Sequence, residues 1–169
     1  MKKYNIIFSD LDGILIKTIS GETFPQGIWD MQFRLEVLDK IKEINPEYLM
    51  IVSNQGDIEN RFISQSNFSI KLDYICLSIS EYCNCQCHAM YCATNDKSGP
   101  CRKPNVGMLN YLTKLHIGDD LEHIKSVSLM IGDANGKEGQ FSDTDKKTAE
   151  NFGIDYMDVD DFVNTNWKD

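Results

Sequence analysis

The stretch Asn5-Ile6-Ile7-Phe8-Ser9-Asp10-Leu11-Asp12-Gly13-Ile14-Leu15 decides how this chain is read. A short apolar run stops at two aspartates separated by a single residue, and a glycine follows. Alternate residues of an extended strand face opposite sides, so Asp10 and Asp12 share a direction if the strand runs through both. The chain then turns at Gly13. Two carboxylates crowded at the carboxyl end of a buried strand repel each other, and a hard cation such as Mg²⁺, bound through oxygen, relieves that repulsion. One carboxylate is then free to attack.

Working outward, the same unit recurs. Residues 17–27 are rich in turn formers and carry no period, so they read as a loop or small flap beside the aspartates. Leu35, Leu38, Ile41 and Ile44 have helical spacing in a segment from Phe33 that ends at Asn45-Pro46. Residues 48–52 form a buried strand that stops at Ser53-Asn54-Gln55-Gly56. A mostly helical pattern covers 57–82, with Phe62 among its apolar positions and a break near Ser66-Asn67. Residues 89–94 suit a third strand, 106–115 a helix, 127–131 a fourth strand ending at Gly132-Asp133, and 142–152 a helix capped by Ser142 or Asp143 and closed by Gly153. A short strand at 154–157 and a turn of helix at 160–164 complete the chain. Alternating strands and helices predict an α/β three-layer sandwich with a mainly parallel sheet, one domain over residues 1–169, whose working residues gather beyond the carboxyl ends of the strands.

Composition bounds the function. With 169 residues, 41% hydrophobic and 25% charged, the chain suits a single core. No apolar run approaches the roughly 18 residues of a membrane span, and Met1-Lys2-Lys3 leads into a strand rather than a secretory segment, so a cytoplasmic monomer is the expectation. Six cysteines in such a setting read as thiols. The net charge of −9 argues against salt-driven coating of nucleic acid, but not against a grip on one phosphate.

Four polar signals follow apolar runs or their loops: the Asp10/Asp12 pair, Ser53, Lys103 and Asp133. Phosphoryl transfer to a carboxylate needs this set. Asp10 would attack phosphorus, and Asp12 would protonate the leaving alcohol and then activate water. Ser53 and the backbone N–H groups after it, at Asn54 and Gln55, would bind phosphate oxygens. Lys103 would offset the negative charge, and Asp133 would complete an Mg²⁺ shell with Asp10 and the Asp12 carbonyl. An Asp-x-Asp-Gly can also start a calcium loop, but Leu15 and Lys17 stand where oxygen donors are wanted.

This ordered set resembles the haloacid dehalogenase superfamily of phosphatases, and within it the phosphatase domain of polynucleotide kinase/3′-phosphatase. The carrying pieces are Ser20-Gly21-x-x-Phe24-Pro25, Ser53-Asn54-Gln55-Gly56, Ala93-Thr94, Arg102-Lys103-Pro104-x-x-Gly107-Met108, Gly132-Asp133-Ala134-x-Gly136-Lys137 and Phe141-Ser142-x-x-Asp145. The resemblance implies a fold with a minimal cap or none. It also implies removal of a 3′-terminal phosphate from DNA, as in DNA repair, with Mg²⁺ as cofactor, Gly13 and Arg102 at the substrate, and Asp145 near the metal or holding Lys103. Ile14 departs from the superfamily's usual Thr, which predicts a less tightly held Asp12. No Gly-x-x-x-x-Gly-Lys-Ser/Thr occurs in these residues.

Rival readings remain open at this level. Cys83, Cys85, Cys87 and His88, with Cys101, sketch a structural zinc site that buried thiols explain as well. His116 and His123 read as surface residues, and Tyr82, Tyr91, Trp29 and Trp167 as core or edge aromatics. The alternative substrates are histidinol phosphate or a sugar (bis)phosphate. Beyond phosphatases stand a phosphoacceptor signalling domain and an inactive scaffold.

Overall fold

A computed structural model describes residues 2–60, 63–134, 136 and 142–167. Phe62, Lys137 and Phe141 lie outside that set. Five strands form one parallel sheet: β1 (Ile6–Ser9), β4 (Tyr48–Asn54), β5 (Gln86–Cys92), β6 (Ser128–Gly132) and β7 (Asp155–Asp158), in the order β5-β4-β1-β6-β7. The chain builds from β1 toward β4 and β5, then crosses to β6 and β7 on the other side. The reversal falls at β1, where a parallel sheet opens a crevice between diverging loops.

Alternation in the strands divides the core into two. Ile7, Leu49, Ile51, Leu129 and Ile131 pack on one face beneath α1 (Leu35–Ile44), α2 (Gln65–Cys83) and α6 (Val159–Asn164). Phe8, Met50, Val52 and Met130 pack on the other, beneath α3 (Gly107–His116), α4 (Leu121–Ser126) and α5 (Thr144–Phe152). The predicted three layers follow from that pattern. Asn45 ends α1 at φ +53°, its N–H returning to the Ile41 carbonyl at 3.0 Å, and Gly153 ends α5 at φ +83°.

Several predicted details change. The helix expected from residue 57 begins at Gln65, because the chain first makes turns in which Ile58 N–H bonds the Gln55 carbonyl at 3.2 Å. β5 starts three residues earlier than the apolar run suggests, since Gln86 to His88 pair in register with Tyr48 to Met50. α4 carries no apolar period: one buried residue, Ile124, and an Asp120 cap accepting from His123 N–H at 3.1 Å hold it. Neither Ser142 nor Asp143 caps α5 through its side chain. In the flap, β2 (Ile16–Lys17) and β3 (Gln32–Phe33) pair antiparallel, each too short for a visible period.

The thiol expectation fails at one pair. Cys92, ending β5, and Cys101, before α3, have their Cα atoms 5.5 Å apart and are joined by a disulfide. Cys101 is therefore not available to a zinc site with Cys83, Cys85 and Cys87, and His88 instead stacks on His116 at 3.6 Å between centroids. His116 is thus half-buried rather than a free surface residue. Among the described residues, no helix is long and apolar enough to cross a membrane.

Candidate active site

The site begins where β1 runs out. After Asp10 the chain leaves the sheet, and the N–H groups of Ile14, Leu15 and Ile16 all turn back to the Leu11 carbonyl, at 3.4, 3.0 and 3.3 Å. The loop can close this tightly because Gly13 adopts φ +80°, and a Cβ there would sit 2.8 Å from Asp133 Oδ2. Ile14 carries no hydroxyl with which to hold the loop, and its side chain is fully buried in the core. Another residue supplies a tie: Arg34 Nη1 donates to the Gly13 carbonyl at 2.5 Å, while its Nε donates to Glu36 Oε1 at 2.8 Å. Arg34→Ala is expected to lower turnover about tenfold through misplacement of Asp12, with a smaller change in KM; steady-state kinetics check it. An unchanged kcat would remove Arg34 from this role.

Lys103 joins the two sides of the rim. Its Nζ lies 2.9 Å from Asp10 Oδ1 and 2.7 Å from Asp145 Oδ1, and its side chain is 2% exposed. Asn54 holds the backbone beneath it: its Nδ2 donates to the Lys103 carbonyl at 3.2 Å and its Oδ1 accepts from Lys103 N–H at 2.9 Å. The Asn54 side-chain amide is thus occupied in positioning the lysine backbone. Gln55 N–H is likewise committed to the Cys92 carbonyl at 2.8 Å, so it is no phosphate donor. The Gln55 side chain works differently. Its Nε2 bridges Asp12 Oδ2 at 2.7 Å and Ser53 Oγ at 2.8 Å, linking β4 to the loop after β1.

Asp10, Asp133 and Asp145 each offer a carboxylate oxygen within 4.8 Å of the others. Gly132 makes room for this, since a Cβ there would meet Asp145 Oδ2 at 2.5 Å. Three carboxylates face one lysine, a formal surplus of two negative charges. Burial pushes the Asp10 carboxyl up to about 7, against the pull of Lys103 and with the push of Asp145 and Asp12. Burial, then Asp145, raises Asp133 as well. Burial alone would lower Lys103, but Asp10 and Asp145 more than offset it and hold its amine protonated. An all-oxygen donor set with this surplus fits a hard divalent cation. Asp12 turns its carboxylate to Gln55, outside that group.

Beside Asp12 lies a cleft of about 1040 Å³ lined by Asp12, Gly13, Gln55, Arg102 and the flap. Arg102 is half-buried and donates from Nη1 to the Thr94 carbonyl at 2.9 Å. The flap stands on one exposed carboxylate. Asp30 Oδ1 accepts from the N–H groups of Ile19 and Ser20, both at 2.9 Å, and Oδ2 accepts from Gln26 N–H at 2.9 Å and Ser20 Oγ at 2.6 Å. Those bonds, the Gln26 N–H foremost, hold the Asp30 carboxyl down at about 2. Phe24 is 73% exposed at the flap, and Trp29 sits edge-on to Tyr74. Neither Asp30 nor Arg34 stands out in the sequence, because each is a lone charge in an aperiodic segment.

Residues 5–163 match the family described as polynucleotide kinase 3 phosphatase. The chain belongs to that family. A bifunctional polynucleotide phosphatase/kinase of Schizosaccharomyces pombe is 34% identical over 166 residues, covering 95% of this chain and 38% of that protein. A protein of Acanthamoeba polyphaga mimivirus is 29% identical over 174 residues, covering 90% of this chain and 40% of its own length. The chain thus spans about two fifths of the length of these curated relatives. In fold, the chain resembles the D,D-heptose 1,7-bisphosphate phosphatase of B. bronchiseptica, solved with magnesium and phosphate, at TM-score 0.66 and 16% identity over 92% of this chain and 79% of that one.

Proposed function

We propose that this chain is a metal-dependent phosphomonoesterase that removes the 3′-terminal phosphate of a polynucleotide through an aspartyl-phosphate on Asp10. The observation that carries the reading is the Asp10–Lys103–Asp145 ion triad, with Asp133 beside it and Asp10 two residues along the chain from Asp12, which lines the adjoining cleft. Family membership and the relatives' described activity support the same substrate class.

Asp10, Asp133 and Asp145 would supply the carboxylate donors for Mg²⁺, with the Asp12 carbonyl as a further oxygen. When bound, the cation neutralises charge so that an anionic nucleophile can approach an anionic ester. Lys103 holds one Asp10 oxygen and fixes the carboxylate. The carboxylate attacks phosphorus, the P–O bond to the 3′ alcohol breaks, and Asp12 gives the departing oxygen its proton. Asp12, now a carboxylate steadied by Gln55, takes a proton from water as its oxygen attacks the aspartyl-phosphate, freeing inorganic phosphate and Asp10. Ser53 Oγ and Arg102 supply donors for the phosphate oxygens.

The test is phosphate release from a 3′-phosphorylated oligonucleotide, compared with histidinol phosphate and sugar bisphosphates, each with Mg²⁺ and with EDTA. Preference for the oligonucleotide, lost in EDTA, supports the reading. Turnover confined to small esters would replace its substrate, and none in any arm would overturn it.

A further inference from the structure

Lys71 is not used by the chemistry above, yet its burial and place call for an explanation. It is 4% exposed, lying on the face of α2 that buries Phe68, Leu72, Ile75 and Ile79, at a position where periodicity asks for an apolar residue. Lysine is rarely buried without a partner, because an ammonium taken from water loses much of its hydration. Lys71 makes no hydrogen bond or ion pair among the described residues, and its Nζ is not shut away from water: the stem is buried while the ammonium reaches the cleft. It lines the active-site cleft together with Asp12, Gly13, Gln55 and Arg102. Asp12 and Asp30 line the same cleft as Lys71; burial lowers the pKa of the Lys71 amine, and the charges of those two acids act against that fall.

An unpaired cation in that position suits an anion brought by the substrate on the leaving-group side. The scissile phosphate is taken by Asp10, Lys103 and the cation group. In a 3′-phosphorylated strand, the next anion is the phosphate on the 5′ side of the terminal nucleotide. We infer that Lys71 is the binding residue for this second phosphate, so that the cleft selects nucleotides phosphorylated on both sides of the terminal sugar. The inference rests on the phosphatase reading above. An amine as the donor, rather than a guanidinium already tied to a carbonyl as Arg102 is, leaves all its hydrogen bonds available to the ligand.

Thymidine 3′-phosphate and thymidine 3′,5′-bisphosphate differ by this one group and serve as probes. Wild-type protein is expected to favour the bisphosphate about tenfold or more in kcat/KM, mostly through KM. Lys71→Met should bring that ratio close to one, Lys71→Arg should keep part of it, and added salt should shrink it in the wild type. Thermal melts of both variants report folding, and Met should keep the wild-type Tm because it fills the space of the buried stem. An undiminished ratio in Lys71→Met overturns the assignment, as does an equal fall of kcat on both probes, which would place Lys71 at Asp12 instead. Turnover of a 3′-phosphorylated oligonucleotide with neither probe accepted, or of both probes without discrimination, overturns the inference alone, whereas no turnover of oligonucleotide or probes overturns the phosphatase reading and this inference with it.

Discussion

Asp10→Asn is expected to abolish phosphate release, with a loss of at least about 10³-fold in kcat, or ~4 kcal/mol of activation free energy. The amide keeps the shape of the side chain but cannot form an acyl-phosphate. It also removes one unit of the negative surplus around Lys103, so the same variant should change stability in a predictable direction. In the metal-free protein the Asp10 carboxyl sits at about 7 against an ordinary 3.8, so the folded state holds a proton that the unfolded chain releases. A raised folded pKa means the stabilisation is complete at low pH and disappears as pH rises through about 7. Melts in EDTA should therefore show the wild-type Tm falling between pH 4 and pH 8, with Asp10→Asn falling less and standing above it at pH 8. Mg²⁺ should raise the wild-type Tm most at pH 8, and the variant's much less. A variant that turns over at more than a few per cent of the wild-type rate would exclude Asp10 as nucleophile.

Lys103→Met should be the costliest single change to the fold. The ammonium lies within 2.9 Å of Asp10 and 2.7 Å of Asp145, and Asp145 is 1% exposed. Removing it leaves buried carboxylates with no countercharge, a loss of ~3–5 kcal/mol and roughly 10 °C in Tm for a domain of this size. The double variant Lys103→Met/Asp145→Asn removes one of those stranded charges and should recover a large share of the Tm. Phosphate release should stay at background in both. If the single variant melts with the wild type, the triad does not hold the rim together. If the double variant recovers activity, Lys103 serves the fold alone.

What could be read from residues alone follows from how each feature is encoded. In β1, β4 and β6 apolar runs lead to Asp10, Ser53 and Asp133 at or just past the strand ends, and sheet geometry brings such ends to one rim without further information. Lys103 lies on a loop, so spacing alone could not place it; the motif around it did, and the Asn54 amide is what fixes its backbone. Asn54 and Gln55 sit at the predicted strand end, but whether an amide meets substrate, a neighbouring backbone or Asp12 depends on contacts made across the sheet. The flap was legible only as a loop, because two-residue strands have no period and Asp30 gathers it through main-chain donors scattered over eight residues. Arg34 answers the gap left by Ile14 from another element altogether, a substitution visible only in space. Lys71 did leave a trace, a charge within an apolar helical stripe, which reads as a break in the pattern until the cleft beside it is seen.

The way the flap is anchored has a consequence for how this scaffold can be altered. Its hydrogen bonds converge on Asp30, while those of the reacting groups converge on Lys103 and Gln55, and the two sets meet at the short turn where Gly13 N–H bonds the Ile16 carbonyl at 2.8 Å. Residues 19–29 can therefore be exchanged, lengthened or trimmed while the phosphoryl-transfer apparatus keeps its shape. Reach and selectivity toward differently sized alcohols become adjustable parts, grafted onto an engine that need not be rebuilt.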